Sequence, residues 1–199
     1  MKTVERVLIT GTTSGIGRAL LEHYTRSGVM VISVNRRHAP ELESQYPSLR
    51  FERVDVRAQD QVQRLVHGLA ASGQLPDVFI LNAGINRVDN DDQFRLDAYK
   101  SVMDTNLYGV LNFVQPITEL PVGPRPRRVI AISSMANYVG NPYALGYRAS
   151  KRALTACFDA WSSMYAGTDL IFQQVMLGPV STGIYTMAAA FPKIGRAHV

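Results

Sequence analysis

Tyr147 and Lys151 are the two residues of this chain whose types and spacing are best suited to chemistry. They lie four residues apart, about one helical turn, so a helix would present the phenol and the ammonium on one face. A free phenol has a pKa of about 10 and is a poor acid–base group at neutral pH. An ammonium roughly 4 Å away, at an effective dielectric constant near 20, favours the phenolate by about 4 kcal/mol, or about three pKa units. The same pair occurs on many amphipathic helices, so its meaning depends on its companions.

One companion is the glycine-rich segment Thr10–Gly17, which reads TGTTSGIG and lies between a strand-like apolar run and a helical pattern. Glycines let the backbone turn tightly and approach a pyrophosphate, whose charge is met by amides at the helix N-terminus. A glycine-rich loop alone is weak evidence, because any tight turn uses glycine. The strand–turn–helix context here predicts a dinucleotide-binding turn.

The elements that must position these residues follow a regular order. Apolar strand-like runs alternate with helical patterns, which is typical of βαβ units and a parallel sheet. The predicted strands are 4–10, 29–34, 50–55, 77–82, 129–133 and 169–176, and the predicted helices are 15–27, 40–46, 59–71, 96–119 and 147–166. We therefore predict an α/β fold, a Rossmann-like doubly wound parallel sheet, in one domain spanning residues 1–193.

Composition narrows the function classes. The net charge is +5, but the positive residues are scattered and the only local cluster, Arg125–Arg128, has no aromatic platform, so we predict no nucleic-acid partner. Apolar runs fall well short of the roughly 20 residues of a membrane span.

One cysteine, Cys157, excludes an internal disulfide and fits a reducing, cytoplasmic location. Three histidines lack metal-ligand spacing, so no metal is predicted: His23, His38 and His67.

The end of the second predicted strand indicates which cofactor is used. An acidic residue there would bind the ribose hydroxyls of NAD and repel a 2′-phosphate. This chain instead has Asn35, Arg36 and Arg37. Guanidiniums can hold a phosphate by charge-assisted bonds, so we predict a preference for NADP(H) over NAD(H), with Arg36 as the principal contact. The alternative is that both arginines are solvated loop residues.

Together these features resemble the short-chain dehydrogenase/reductase family, in its compact, non-extended branch, from residue 4 to about residue 182. The matching motifs are the Thr10–Gly17 loop, Asp55-Val56, Asn82-Ala83-Gly84, Asn106, Ser134, Tyr147-x-x-x-Lys151 and Gly178-Pro179-Val180-Ser181-Thr182. The resemblance implies a cofactor site formed by Gly11, Thr12, Ser14, Gly15, Ile16, Gly17, Asn35, Arg36, Asp55, Val56, Asn82, Ala83, Gly84, Tyr147, Lys151, Gly178, Val180 and Thr182.

The resemblance also implies roles within that site. Asp55 would contact the adenine amino group, Val56 would pack by the ring, and the 82–84 turn would lie over the adenosine ribose. Gly178, Val180 and Thr182 would hold the nicotinamide end. The family usually has proline where this chain has Leu177, which loosens the turn without removing a chemical group.

Four residues carry the implied catalysis. Tyr147 exchanges a proton with the substrate oxygen, and Lys151 lowers the pKa of Tyr147 and binds the nicotinamide ribose. Ser134 donates a hydrogen bond to the substrate oxygen. Asn106 holds a water that links Lys151 to solvent. The hydride comes from the cofactor, so the protein supplies positioning and charge.

The C-terminus of the chain departs from the family. The last six residues, Ile194–Val199, match one reading frame of a widely used sequencing adapter, and we interpret them as a non-native tail. The alternative is that they are a genuine short basic tail. Family members continue through further helices and a seventh strand, which we expect to be missing here. Those elements cover the substrate and form much of the subunit interface. We therefore expect a longer gene product to be the active homo-oligomer.

The predicted function is NADP(H)-dependent reduction of a carbonyl compound or oxidation of an alcohol. The alternative within the same fold is a catalytically silent NADP-binding regulator or scaffold, although such proteins usually lack part of the Tyr/Lys/Ser set. An extended-branch epimerase or dehydratase is disfavoured by the loop spacing. An apolar, aromatic wall predicts a small to medium hydrophobic substrate: Met135, Tyr138, Val139, Pro142, Tyr143 and Leu145.

Overall fold

The computed structural model describes residues 4–37, 39–87, 94–121, 125–135, 138, 144–178 and 180. Within them, one sheet contains six parallel strands in the order β3-β2-β1-β4-β5-β6. The strands are β1 (Arg6–Thr10), β2 (Met30–Asn35), β3 (Leu49–Arg53), β4 (Val78–Leu81), β5 (Arg127–Ser134) and β6 (Leu170–Leu177). The predicted α/β class and the Rossmann-like parallel sheet are confirmed.

Six α-helices accompany the strands. They are α1 (Gly15–Arg26), α2 (Pro40–Gln45), α3 (Gln59–Ala71), α4 (Leu96–Met103), α5 (Gly109–Glu119) and α6 (Leu145–Met164). The sequence predicted one long helix over 96–119. The structure keeps both of its ends but inserts a π-helical turn, Asp104–Tyr108, between α4 and α5. Such turns, with their wider i→i+5 hydrogen bonding, occur frequently at functional sites.

The sheet is covered on both faces, which explains its nearly continuous apolar strands. Leu8 packs in the cluster that joins the sheet to α3, α5 and α6. Its neighbours Val7 and Ile9 pack in the cluster that joins the sheet to α1 and α2. Because side chains alternate along a strand, each strand contributes to both layers. The result is the doubly wound, single-domain arrangement expected from the sequence.

Strand order determines where a ligand can bind. β1 lies between β2 and β4. Strands β2 and β3 are added on one side of β1, and β4, β5 and β6 are added on the other side, so the strand order reverses at β1. In open parallel sheets, ligands bind outside the carboxyl ends of the strands at such a reversal. The ends of β1, β2, β4 and β5 therefore define the region of the candidate site.

The described ranges show neither a membrane-spanning helix nor a cluster of metal ligands. No helix within them is long and apolar enough to cross a membrane, and they contain no group of three metal-ligating side chains. Residues 181–199 lie outside the described ranges, so the domain boundary at 193, the tail at 194–199 and the missing last strand stay predictions.

Candidate active site

The loop after β1 is shaped by three glycines. Gly11 and Gly15 have φ angles of 74° and 56°, in the left-handed region that glycine adopts without steric cost. A Cβ on Gly17 would lie 2.0 Å from the carbonyl oxygen of Gly11. No larger side chain fits there without displacing backbone. The first turn of α1 therefore lies directly against the loop, as a helix N-terminus that receives a phosphate requires.

Asn82, at the end of β4, ties this loop to the neighbouring strand. Its side-chain amide donates to the carbonyl oxygens of Thr10 and Gly11, both at 3.0 Å. In return, the Thr10 hydroxyl accepts from the backbone amides of Asn82 and Ala83 at 3.0 and 2.9 Å. Asn82 thus stabilises the glycine-rich loop after β1. Its contact with a cofactor ribose stays a prediction, as do those of Ala83 and Gly84.

A buried polar network joins the loop to β2. Asn35 Oδ1 accepts from the backbone amide of Thr12 at 2.8 Å, and Asn35 Nδ2 donates to the Thr12 and Ser33 hydroxyls, both at 2.8 Å. The two hydroxyls are 2.6 Å apart. Asn35 is only 6% exposed. It holds Thr12 in place, and its predicted cofactor contact stays a prediction.

Asp55 lies after β3 and is paired with Arg57. The guanidinium donates to both carboxylate oxygens, at 3.0 and 2.6 Å. This bond, with a smaller contribution from the charge of Arg36, lowers the pKa of Asp55 against the opposing effect of burial. An ionised carboxylate can accept from an adenine amino group. Val56 packs against α5, since a Cβ on Gly109 would lie 2.8 Å from its Cγ2.

Arg36 and Arg37 are both exposed at the end of β2. Arg36 lines an open cleft of about 700 Å³ between β3 and α3. The charged residues that line it are Arg36, Arg50, Glu52, Arg53, Asp55 and Arg64. None of the four predicted catalytic residues lines this cleft, so it belongs to the Arg36–Asp55 end of the site.

Tyr147 and Lys151 lie on the first turns of α6 and are 6% and 4% exposed. Lys151 Nζ lies 5.8 Å from the centre of the Tyr147 ring and donates to the Ile132 carbonyl oxygen on β5 at 2.6 Å. Burial lowers the pKa of Lys151 to about 8. The sequence prediction that one helix face carries both groups is confirmed.

Asn106 is fully buried in the π-helical turn. Its side chain forms two bonds with the backbone of Ile85, accepting from the amide at 2.8 Å and donating to the carbonyl at 2.9 Å. It also donates to the Ser150 hydroxyl at 3.1 Å. Ser150 in turn donates to the Tyr147 carbonyl at 2.7 Å. Both amide hydrogens are thus used, and a water held by Asn106 would have to bind its backbone carbonyl.

The remaining predicted residues lie at the ends of β5 and β6. Ser134 is the last residue of β5 and is aligned with Leu177, the last residue of β6. Gly178 and Val180 follow β6. Thr182, and the predicted wall residues Val139, Pro142 and Tyr143, lie outside the described residues. Met135, Tyr138 and Leu145 are exposed in this part of the chain, and their role in a substrate wall stays a prediction.

Several residues that organise the site were not predicted from the sequence. Ser150 stands between Tyr147 and Lys151, and its spacing of three residues from Tyr147 was the available signal. Ile85, which contributes only backbone, had no such signal. Ser33, two residues before Asn35 on β2, could have been suggested by strand periodicity. Arg57, two residues beyond Asp55, lies in a turn after β3 and had no such signal.

Known proteins of one family are similar to this chain over most of its length. The family model described as short chain dehydrogenase matches residues 5–191. The 3-oxoacyl-(acyl-carrier-protein) reductase of Thermotoga maritima is 28% identical over 181 residues, which cover 88% of this chain and 74% of that protein. The NADPH-dependent pterin aldehyde reductase of Arabidopsis thaliana is 30% identical over 155 residues, 74% of this chain and 64% of the relative.

A solved structure shows the same fold. It is that of 4-hydroxyisoleucine dehydrogenase complexed with NADH, with a TM-score of 0.78 at 19% identity, over 90% of this chain and 77% of the other. The chain therefore spans between 64% and 77% of the length of these three proteins.

Proposed function

The chain belongs to the short chain dehydrogenase family, and on that basis we propose that it is an NADP(H)-dependent oxidoreductase. In this proposal a hydride passes between the nicotinamide and a carbonyl compound or secondary alcohol, with Tyr147 as the acid–base group. The observation that carries the proposal is the position of Lys151, which is buried, bound to the end of β5 and 5.8 Å from the Tyr147 ring.

The glycine loop fits the cofactor. A Cβ on Gly17 would collide with the loop. Because the loop glycines carry no side chains, the backbone amides at the N-terminus of α1 stay accessible to a pyrophosphate. Asn82 and Asn35 hold the loop in that shape. Gly11, Thr12, Ser14, Gly15 and Ile16 form the rest of this cradle. When bound, the cofactor supplies or accepts the hydride.

Tyr147 and Lys151 handle the proton. The Lys151 ammonium lies 5.8 Å from the centre of the Tyr147 ring, and a positive charge so close favours the ionised form of the phenol. During reduction Tyr147 donates its proton to the substrate oxygen, and during oxidation it removes the alcohol proton. Below pH 8 Lys151 is mostly protonated and provides this charge.

Ser134 and Asn106 complete the proposed machinery. Ser134, at the end of β5, donates a hydrogen bond to the substrate oxygen and stabilises its developing charge. Asn106 anchors the π-helical turn through Ile85 and Ser150, and its backbone carbonyl binds the water that relays protons to Lys151. The bond from Ser150 to the Tyr147 carbonyl makes the tyrosine part of the same network.

The preference for NADP(H) rests on charge. The end of β2 carries Arg36 and no carboxylate, and Arg36 reaches the cleft beside Asp55. The Arabidopsis relative is named for NADPH, whereas the more distant dehydrogenase was solved with NADH. Both relatives with curated names reduce carbonyl groups, as the names 3-oxoacyl reductase and aldehyde reductase state. We propose a small to medium hydrophobic carbonyl substrate, a cytoplasmic location and a homo-oligomeric full-length enzyme.

The direct test is calorimetric titration of the purified chain with NADPH and with NADH, followed by NADPH oxidation against a panel of aldehydes, ketones and 3-oxoacyl thioesters. We expect tighter binding of NADPH and turnover of at least one carbonyl class. Binding without turnover of any member, in the full-length gene product as well, would favour the silent regulator. Tighter binding of NADH would contradict the role of Arg36 and leave the family assignment intact.

A further inference from the structure

The open cleft between β3 and α3 holds two kinds of arginine. Arg50 is paired with Glu52 at 2.6 Å, and Arg64 is paired with Asp60 at 2.6 Å. Arg36 and Arg53 line the same cleft and form no ion pair within the part of the chain that the structure describes. Two guanidiniums that form no ion pair in the described part of the chain therefore line one solvent-accessible space.

The sheet register brings these two arginines together. Arg53 is the last residue of β3 and is aligned with Asn35, the last residue of β2. Arg36 follows Asn35 directly. Since neighbouring strands lie about 4.8 Å apart and rise about 3.3 Å per residue, the Cα atoms of Arg36 and Arg53 are roughly 6 Å apart. Arg36 and Arg53 both line the cleft at this end of the two strands.

The charges around the cleft favour an anion at this point. The two carboxylates that line it are already neutralised, Glu52 by Arg50 and Asp55 by Arg57. Asp55 is the residue expected to meet the adenine, so the cleft begins where the adenosine half of the cofactor would lie. An anion attached to that adenosine and directed toward the β2/β3 edge would meet Arg36 and Arg53. Both carboxylates of the described lining are already paired, so neither would repel it strongly.

We propose that Arg53 is a second specificity-determining residue, which together with Arg36 binds the 2′-phosphate of NADP(H). This inference rests on the proposed NADP(H) preference and adds a residue to it. β3 is an edge strand, and charged side chains also protect such edges from pairing with other chains. Protection of the edge does not require Arg53 to bind the same anion as Arg36. The two roles of Arg53, phosphate binding and edge protection, therefore predict different binding data.

The test uses cofactor halves, because they avoid the nicotinamide end. The purified chain is titrated with 2′,5′-ADP and with 5′-AMP, which differ in the phosphate at issue. The variants are Arg53→Gln, Arg36→Gln and, as a matched control in the same cleft, Arg64→Gln, whose partner Asp60 does not line the cleft. A hydrogen bond to a charged group is worth about 1.5–3 kcal/mol, so we expect Arg53→Gln to weaken 2′,5′-ADP binding about tenfold or more. Binding of 5′-AMP should be unchanged, and Arg64→Gln should leave both affinities unchanged.

Each other outcome separates this inference from the proposed function. If only Arg36→Gln weakens 2′,5′-ADP, the NADP(H) preference stands and the role of Arg53 is wrong. If Arg53→Gln weakens both probes equally, the residue acts on folding of the edge, and the proposal is also overturned. If the unmodified chain binds 5′-AMP as tightly as 2′,5′-ADP, the NADP(H) preference itself fails. Thermal unfolding of each variant shows whether the variant is folded under the conditions of the binding measurement.

Discussion

Lys151 directs its ammonium to the backbone of β5, and its Nζ lies 5.8 Å from the centre of the Tyr147 ring. A lysine that is 4% exposed and bound to a carbonyl oxygen has little freedom to move. Its charge therefore acts on Tyr147 at a constant distance, which an exposed lysine with many rotamers could not ensure. Burial has a cost as well, since it lowers the pKa of Lys151 to about 8.

That pKa predicts a specific dependence of stability on pH. The pKa of Lys151 is about 8 in the folded chain and about 10.4 in the unfolded chain, so between these values the unfolded state binds more protons. Stability must then rise as the pH rises from 8 to 10.4, by roughly 3 kcal/mol from this group alone. The measurement is denaturant unfolding of the unmodified chain and of the Lys151→Met variant at about pH 7.5 and at about pH 10, close to the folded and unfolded pKa values of Lys151. The difference in unfolding free energy between the two proteins should shift in favour of the unmodified chain at the higher pH. Equal differences at the two values would contradict the shifted pKa.

Replacement of Tyr147 by Phe should remove turnover and spare cofactor binding. Loss of a general acid–base group lowers rates by about 10²–10⁴-fold, while the glycine loop and Arg36 are untouched. The measurement combines NADPH oxidation with NADPH titration. Tyr165→Phe is the control, because Tyr165 follows the same helix and its ring packs against Phe172, 5.2 Å away. A Tyr147→Phe variant with unchanged kcat would exclude Tyr147 as the proton donor.

Gly17→Ala should destabilise the chain and weaken cofactor binding. The new Cβ would lie 2.0 Å from the Gly11 carbonyl oxygen and 2.6 Å from Asn82 Nδ2, and overpacking of this kind costs about 1–3 kcal/mol or more. Gly68→Ala is the matched control, because Gly68 lies inside α3 with no atom within 4 Å of its added Cβ. That control should raise the unfolding free energy by about 0.5–1 kcal/mol through helix propensity. Denaturant unfolding compares both, and a Gly17→Ala variant as stable as the Gly68→Ala variant would refute the close packing.

Asn106→Ala should be more destabilising than a comparable change on α5. It would leave the amide and the carbonyl of Ile85 without the partners they have now. Each unsatisfied buried group costs about 1–3 kcal/mol, so a loss of about 2 kcal/mol or more is expected. Asn112→Ala removes one bond, to the Val56 carbonyl, and should cost about 1 kcal/mol. Similar losses of unfolding free energy in the two variants would mean that the Ile85 backbone finds water instead.

Much of the fold could be predicted from local pattern. The strand at 129–133 was expected from its apolar run, and the structure extends it to Arg127 and Ser134. The helix carrying Tyr147 and Lys151 was also expected, and it begins two residues earlier, at Leu145. The break at Asp104–Tyr108 was missed. Helical periodicity continues through a π-helical turn with only one residue of offset, so it produces little signal in a single sequence.

The sequence by itself determined which groups are available and in what order: a glycine loop after a strand, a Tyr/Lys pair one turn apart and arginines where a carboxylate would select NAD. Residue type and short-range spacing decide these properties, because backbone freedom, charge and helical pitch are local. The tertiary structure decided which of the predicted site residues hold the site in place through buried hydrogen bonds. Asn82 and Asn35 turn inward to hold the loop, Asn106 is held by Ile85 and Ser150, and burial lowers the pKa of Lys151. The pairing of Arg53 with the Arg36 region depends on strand register. Burial, register and long-range hydrogen bonds arise only when distant segments pack together, and local sequence does not encode them separately.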